Sequence, residues 1–295
     1  MPRTSNNLVI KKKYDTFNYG LTKKVALFAN ARNEKHIKEW AAHHLLIGFD
    51  LIFIFDHKSN IPLVERFKNF DKRVKIINVS YLDLPIKLQL MMVASNIGKK
   101  YNVDWLLYLD CDEFLILNKK FIGVKHFLNH YNYADSLGVN WLMFGSNHLV
   151  NDPDDLILDN YTKSELLLNQ HVKSFVRPNE ILSATNPHFY NIKNNLKMYG
   201  INNKILSVGN PAFNPLPVPF YKSPAYIAHY VYQSEETYIK RKGMLPADDT
   251  GTMRSIDTSN VKHIHNSHNV GENLQPKIRY AESIKQFLLV NGGMF

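Results

Sequence analysis

Hydrophobic residues form short uninterrupted runs in the first 117 positions, and amphipathic stretches separate the runs. The runs at 24–30, 49–55, 74–79 and 105–109 lack the period-2 alternation of a half-exposed strand, so they predict strands covered on both faces. The stretches at 34–47, 63–70 and 86–100 have helical spacing of their apolar residues. This alternation predicts an α/β fold, a mostly parallel central sheet flanked by helices.

The second half of the chain is less regular, and prolines interrupt it repeatedly. Strands are predicted at 136–145, 172–176 and 225–231, with a helix from Ser234 to about Gly243 and a basic amphipathic helix at 275–290. We therefore predict an N-terminal arm at 1–22 and a main domain at 23–245, followed by an extension at 246–295. The main domain divides into a regular half at 23–117 and a less regular half at 118–245.

Carboxylates follow the most apolar strand directly. The run at 105–109 stops at Asp110, and Asp112 and Glu113 come next. Ligands bind beyond the carboxyl ends of the strands in open α/β sheets, and hard oxygen ligands suit Mg²⁺ or Mn²⁺. We therefore expect a divalent cation here, with a solvated strand end as the bland alternative. No G-x-x-x-x-G-K-[ST] or G-x-G-x-x-G pattern occurs at the places where a P-loop or a dinucleotide site needs one.

Composition narrows the possible partners. The net charge of +10 and the isoelectric point near 9.4 favour an anionic partner, such as nucleotide phosphates, a membrane surface or nucleic acid. The single cysteine, Cys111, excludes an internal disulfide and fits a reducing compartment. The polar, lysine-containing first twenty residues are not expected to be a signal peptide, and no run of about 18 apolar residues occurs in the sequence. We expect a cytoplasmic protein, possible peripheral contact with the anionic inner face of the membrane, and no nucleic acid partner.

Several segments, taken in chain order, resemble GT-A glycosyltransferases of the family 2 and family 92 type. The resemblance covers about residues 24–245, and its specificity comes from the combination of segments. The segments are ARNEKHIKEWAAHHLLIGFDLIFIFDHKS at 31–59, WLLYLDCDEFL at 105–115, WLMFG at 141–145, VKSFVRP at 172–178, NPHF at 186–189 and AHYVYQSEETYIKRKGM at 228–244.

The resemblance implies the GT-A fold and a nucleotide-sugar donor, with UDP as the nucleotide. It also implies that residues 23–117 are the nucleotide-binding half of the domain and that residues 118–245 are the acceptor half. It also implies Mn²⁺ or Mg²⁺ on Asp110 and Asp112, and transfer of a hexose or pentose to a carbohydrate or glycolipid acceptor, as in polysaccharide biosynthesis. The nucleotide-facing residues that it implies are Arg32, Asn33, Glu34, Asp56 and Gln89. For Asn33 and Glu34 the alternative is an ordinary helix start.

GT-A enzymes commonly add a late histidine as a metal ligand. Here we expect His229, and His188 is its rival. Of the adjacent Lys240, Arg241 and Lys242, one or two are expected to contact the diphosphate, and Lys240 and Arg241 are our choice. Lys173 and Arg177 are weaker candidates for the same task. The alternatives are a packed histidine and a solvated basic helix face.

The general base is less clearly marked. Family 2 enzymes use an Asp in a late Glu-Asp pair, and no clear pair of this kind occurs in the second half of the chain. We expect Asp112 and His188 as the catalytic residues, while Glu180, Asp152, Asp154 and Asp155 stay open as bases. Trp141 and Phe144 resemble the acceptor-side segment of the family, although core packing explains them equally well. A basic nucleic-acid-binding or processing protein is the rival function, and the absence of a recognisable motif argues against it.

Overall fold

The computed structural model describes residues 20–193, 196–206, 212–254 and 260–293. Most of the predicted arm at 1–22 lies outside these residues. The described strands are β1 Val25–Ala31, β2 Leu51–Asp56, β3 Val74–Asn78, β4 Trp105–Tyr108, β5 Glu113–Leu117, β6 Ser136–Met143, β7 Lys163–Ser164, β8 Val172–Val176, β9 Ile181–Asn186, β10 Phe189–Ile192, β11 Met198–Gly200, β12 Ala225–His229 and β13 Gly271–Glu272. The described helices are α1 Ile37–Leu46, α2 Leu63–Arg66, α3 Lys87–Lys100, α4 Val124–His130, α5 Ile157–Asn160, α6 Glu235–Tyr238, α7 Val261–Ser267 and α8 Glu282–Val290.

A nine-stranded sheet organises the molecule, in the order β3-β2-β1-β4-β8-β6-β12-β5, with β11 added beside β6. The pairs in the first half are parallel, and antiparallel pairs appear where β8 joins β4 and β6 and where β5 joins β12. The predicted α/β fold with a mostly parallel sheet flanked by helices is confirmed.

The continuous apolar runs become strands because both faces of the sheet are covered. All seven residues of β1 are buried. One core layer includes α1, whose Ile37, Trp40 and Leu45 lie inward, and a second core layer includes Leu90 and Met91 of α3. The parallel strands therefore end at one edge of the sheet, where their polar continuations meet.

The strand predicted at 105–109 is β4, and a second strand, β5, follows it closely. The strand β4 ends at Tyr108, and a turn follows, in which the Glu113 amide donates to the Asp110 carbonyl over 3.1 Å. The chain then continues as β5, which pairs antiparallel with β12 and lies at the far end of the sheet path. This arrangement places Asp110 and Asp112 in a tight turn between two buried strands.

The segment after residue 245 packs on the same sheet system. The carbonyl of Asp248 accepts hydrogen bonds from the amides of Ile86 and Lys87, at 2.9 and 3.2 Å, where α3 begins. The helix α8 packs against α1, and β13 pairs with β7. Within the described ranges, no helix has the length and apolar character needed to cross a bilayer.

Candidate active site

A cavity of about 300 Å³ opens at the carboxyl edge of the sheet, around the turn between β4 and β5. Its walls come from the strand ends, from the start of α3 and from the segment that follows β12. The charged residues lining it are Glu34, Lys87, Asp110, Asp112, Lys173, Arg241, Lys242, Asp248, Asp249 and Arg254, together with Trp141, His188 and His229. Five cations and five carboxylates thus surround the same space.

Asp112 is the deeper of the two turn aspartates and is almost fully buried. Arg241 Nη1 donates to its Oδ2 over 2.8 Å, and its Oδ1 lies 3.8 Å from His229 Nε2. Burial raises the pKa of Asp112, but the charge and the hydrogen bond of Arg241 outweigh this effect and hold the pKa well below its usual range. Asp112 is therefore a carboxylate at all pH values near neutral.

His229 ends β12 and is buried beside the Trp141 ring, with the ring centroids 4.4 Å apart. Burial lowers the pKa of His229 to about 3, against the raising effect of Asp112. The imidazole is therefore neutral near pH 7, which is the form that binds a metal ion.

Asp110 has different partners from Asp112. Its two carboxylate oxygens contact two lysines, Lys87 at the start of α3 and Lys173 on β8, the latter at 3.0 Å. Lys173 also lies 3.4 Å from the buried carboxylate of Glu113. Burial raises the pKa of Glu113 to about 7, although Lys173 lowers it. Asp110 is thus the bridge in a compact cluster of two lysines and two carboxylates.

Arg241 joins the two sides of the cavity. It bonds Asp112, and its Nη2 donates to Glu34 Oε1 over 3.3 Å. Burial raises the pKa of Glu34, while Arg241 lowers it. The neighbouring Lys242 has no hydrogen-bond or ion-pair partner among the described residues, and burial lowers its pKa to about 8. Lys242 thus lines the cavity as a cation without a counter-ion.

A loop from Leu245 to Arg254 closes one side of the cavity. Asn30 at the end of β1 donates to the Asp248 carboxylate over 2.6 Å, and the Asp248 carbonyl receives the first amides of α3. Gly251 has φ +72° and packs against Leu84. This loop brings Asp248, Asp249 and Arg254 to the same edge as the β4–β5 turn.

His188 lines the opposite wall, next to Trp141. Its Nδ1 lies 2.9 Å from the carbonyl oxygen of Val172. Because a carbonyl oxygen only accepts hydrogen bonds, Nδ1 carries the proton and Nε2 is left with its lone pair. Burial, followed by the charge of Lys173, lowers the pKa of His188 to about 3.

Comparison with known families shows what kind of protein the chain is. Residues 26–270 match the sequence model of glycosyltransferase family 92. The chain belongs to glycosyltransferase family 92. It is therefore a transferase, and the family 92 part of the resemblance is confirmed.

Solved structures gave weaker likenesses. One is S. aureus TarS 1–349 in complex with UDP, with 17% identity, 53% of this chain and 47% of that chain covered, and a TM-score of 0.34. Another is a nucleotidyl transferase from Methanothermobacter thermautotroptrophicus, with 8% identity, 53% and 73% covered, and a TM-score of 0.29. The chain spans about half the length of the TarS chain. These TM-scores are too low to support an argument about function. A comparison with curated proteins gave no match.

The nucleotide-facing residues that the sequence suggested are dispersed in the glycosyltransferase. Glu34 lines the cavity, and Arg32 lines an adjoining cavity of about 90 Å³. Asn33 accepts a hydrogen bond from the Asn60 amide, and Asp56 is buried and accepts from the Leu63 amide at the start of α2. Gln89 is exposed on α3. These last three side chains line neither the main cavity nor the adjoining one. Local backbone amides bind Asn33 and Asp56, and Gln89 faces solvent.

The predicted metal ligands also separate. No three His, Cys, Asp or Glu side chains in the described part of the chain are arranged to hold a metal ion. Asp112 and His229 face each other, whereas Asp110 is paired with Lys87 and Lys173. The set Asp110, Asp112 and His229 is therefore not assembled as three ligands, because two lysines already neutralise Asp110.

Other candidates take positions that their spacing did not reveal. Lys240 is exposed and pairs with Glu236, whereas Lys242 lines the main cavity. Arg177 stacks over Trp105 at 4.1 Å and donates to backbone carbonyls, so its role is in packing. Phe144 belongs to the core. Of the possible bases, Glu180 pairs with Lys193, Asp155 pairs with Lys285, Asp154 is exposed, and Asp152 lies outside the main cavity.

Sequence reasoning missed Asn30, Lys87, Asp248, Asp249 and Arg254 as lining residues. The sequence contains an indication of Asn30 and Lys87, because Asn30 is a polar residue near the end of β1 and Lys87 begins α3, the helix before β4. The other three had none, since the loop that carries them lies beyond the segments with a recognisable pattern.

Proposed function

We propose that this glycosyltransferase transfers a sugar from a nucleoside-diphosphate sugar to a hydroxyl of a carbohydrate or glycolipid, with Mn²⁺ or Mg²⁺ bound. One observation carries the proposal: Asp112, His229, Arg241 and Lys242 converge on one cavity at the carboxyl edge of the sheet. A diphosphate leaving group carries negative charge, which an arginine, a lysine and a divalent cation held by Asp112 and His229 would stabilise.

The donor set of Asp112 and His229 fits a divalent cation. A carboxylate and a neutral imidazole 3.8 Å apart leave room between them for one ion. Mg²⁺ and Mn²⁺ are often bound through one or two side chains, with substrate phosphates completing the coordination. When bound, the ion would neutralise the departing diphosphate. In this proposal Asp110 is not a ligand, and its task is to hold Lys87 and Lys173 beside the cavity.

In the transfer, the bond between the anomeric carbon and the phosphate oxygen breaks, and its electron pair leaves with the diphosphate. Arg241 and Lys242 donate hydrogen bonds to the diphosphate oxygens, Arg241 through the N–H groups that Asp112 and Glu34 leave open. The acceptor oxygen forms the new bond to the anomeric carbon and gives up its proton.

His188 is the group that we assign to receive this proton. Its Nδ1–H is held by the Val172 carbonyl, so its Nε2 lone pair is available. Its low pKa comes from burial and from the nearby lysines. A bound diphosphate adds negative charge, which raises the pKa of His188 towards the range of a useful base.

Nucleotide binding tests the proposal, and UDP is the first nucleotide to try because the sequence resemblance implies it. Calorimetry with uridine, UMP and UDP in the presence of Mn²⁺ separates contacts to the nucleoside from contacts to the phosphates. Lys242→Ala is expected to weaken UDP about ten- to a hundredfold and to leave uridine unchanged, because it removes a charged hydrogen bond.

Lys240→Ala is the matched control, since Lys240 is two residues away and pairs with Glu236 outside the main cavity. An equal loss of UDP affinity in both variants would show that only general charge attraction matters. A wild-type protein that does not bind any nucleoside diphosphate in the presence of Mn²⁺ would overturn the proposed function.

A further inference from the structure

A second cavity, of about 190 Å³, lies directly beside the main one. The two cavities share Glu34, Cys111 and Arg241 as a common wall. The other walls of the second cavity come from the residues after β1, from the loop before α5 and from the start of α6. The side chains that decide its chemistry are Asn33, Lys35, Asp152, Gln233, Thr237 and Lys240.

Gln233 is the unusual member of this group. It is only 4% exposed, and no described residue forms a hydrogen bond with its side-chain amide. A buried amide without partners costs about 1–3 kcal/mol unless water or a ligand satisfies it. The Gln233 amide lines the cavity, where it offers two N–H donors and one carbonyl acceptor to an occupant.

The cations around the second cavity already have counter-ions. Lys35 lies 2.9 Å from Asp152, and Lys240 pairs with Glu236. Arg241 is held by Asp112 and Glu34. His36, which also lines this cavity, lies 3.5 Å from Glu39 and 3.8 Å from Asp152. The charges that line the cavity are therefore balanced locally, whereas the amide of Gln233 is not. This combination disfavours an anionic ligand and favours a neutral one with many hydroxyl groups.

We propose that the second cavity binds a neutral sugar ring beside the donor cavity, with Gln233 as its main hydrogen-bonding residue. Hydroxyl groups both donate and accept hydrogen bonds, so they can bond both the NH₂ group and the carbonyl oxygen of an amide. The choice of a sugar among polyhydroxylated ligands rests on the proposed glycosyl transfer. The hydrogen-bonding argument is independent of it.

The test uses the full chain and saturation-transfer NMR with the methyl glycosides of glucose, galactose and mannose as probes. At least one of these neutral glycosides is expected to bind. Gln233→Leu, which has a similar size, is expected to weaken that binding about fivefold or more, because it removes both donors and the acceptor. Thr237→Val removes one hydroxyl from the same wall and is expected to weaken glycoside binding as well. This variant provides the test if Gln233→Leu does not fold.

Gln170→Leu is the matched control, because it makes the same change at an exposed position that lines neither of these two cavities. UDP binding in the presence of Mn²⁺ is measured on the same samples and is expected to be unchanged in all three variants. The UDP measurement separates the two proposals. A wild-type protein that binds a glycoside but does not bind UDP would contradict only the proposed donor site.

Two sources of the sugar are distinguished by a third measurement. A glycoside that speeds UDP release from a UDP-sugar is a unit of the acceptor, and one that binds without being consumed is a separate ligand. Both results support a sugar site. The inference is overturned if none of the three glycosides binds, if Gln233→Leu and Thr237→Val bind them as the wild type does, or if glucose 6-phosphate binds more tightly than the neutral probes.

Discussion

Asp110 and Asp112 are separated by one residue, yet the fold gives them different partners. The turn after β4 directs Asp112 to Arg241 and His229 and directs Asp110 to Lys87 and Lys173. The two lysines neutralise the charge of Asp110, which makes it a poor metal ligand. Asp112, in contrast, has one carboxylate oxygen close to the neutral imidazole of His229. We therefore expect substitutions of the two aspartates to have different effects on metal binding and on the transfer rate.

Asp112→Asn is predicted to weaken Mn²⁺ binding about a hundredfold or more, because it removes a charged ligand. Asp110→Asn is predicted to change Mn²⁺ affinity little and to lower the transfer rate, because it leaves Lys87 and Lys173 close together without their bridge. Titration of Mn²⁺ in the presence of UDP, followed by a nucleotide-release assay, measures both effects. Equal losses of Mn²⁺ affinity would mean that both aspartates are ligands.

His36 provides a test of stability outside the donor cavity. It is buried, with Glu39 at 3.5 Å and Asp152 at 3.8 Å. Burial lowers the pKa of His36, but the two carboxylates outweigh this effect and raise the pKa from 6.5 to about 9. A folded-state pKa above the unfolded value stabilises the fold below about pH 6.5, and the contribution is lost as the pH rises towards 9.

His36→Gln is therefore predicted to remove this part of the pH dependence, on the order of 3 kcal/mol between pH 6.5 and 9. Urea denaturation at several pH values gives the free energy of unfolding for each protein. His130→Gln, at an exposed histidine, is the control and is expected to keep the wild-type slope. A His36→Gln protein with the wild-type slope would show that His36 is neutral in the fold.

At the scale of elements, α1 connects the two halves of the sheet. Trp40 donates from its indole nitrogen to the Glu113 carbonyl over 2.8 Å, and His43 bonds the Leu115 carbonyl at 2.9 Å. Glu39, one residue before Trp40, accepts hydrogen bonds from the amides of Ile157 and Leu158 at 2.7 and 3.0 Å. One helix thereby fixes both β5 and the start of α5. Ile157 and Leu158 of α5 lie 118 and 119 residues after Glu39 in the sequence.

Glu39→Gln is predicted to destabilise the protein by about 1–3 kcal/mol, because the new amide N–H₂ group faces backbone N–H donors in a buried site. The midpoint of urea unfolding measures the change. Glu65→Gln makes the same substitution at an exposed position on α2 and is expected to stay within about 0.5 kcal/mol of the wild type. If the two variants are equally stable, the bonds to α5 contribute nothing.

At the scale of the whole molecule, the net charge of +10 made nucleic acid a rival partner. In the structure, several of the basic side chains at the carboxyl edge are paired with carboxylates, among them Lys87, Lys173 and Arg241. Surface attraction to a polyanion is screened by salt, whereas contacts in a partly enclosed cavity are screened much less.

Single-stranded oligonucleotides are therefore predicted to bind weakly and to be released as NaCl rises from about 50 mM to about 500 mM, since only surface charge attracts them. UDP with Mn²⁺ is predicted to stay bound over the same range. Fluorescence polarisation for the oligonucleotides and calorimetry for UDP follow the two ligands. Oligonucleotide binding that resists high salt would favour the rival function.

The sequence by itself determined the fold class and the edge at which the site lies. Continuous apolar runs require strands covered on both faces, and strands alternating with helices require a mostly parallel sheet. The polar residues that follow those runs then meet at one edge, as Asp110, Asp112 and Glu34 do. These conclusions depend only on local periodicity and on the geometry of parallel strands.

The tertiary structure decided which of the polar residues act together. Asp56 and Asn33 follow strands as clearly as Asp112 does, but a nearby amide satisfies each of them. Arg241 reaches Asp112 over a separation of 129 residues, and no local pattern records such a contact. Lys242 lines the main cavity and Lys240 does not, and both lie in the segment Ile239–Gly243, which is a π-helix and departs from the α-helical spacing that a sequence pattern assumes. Pairing between distant side chains depends on the packing of whole elements, and only the folded chain fixes that packing.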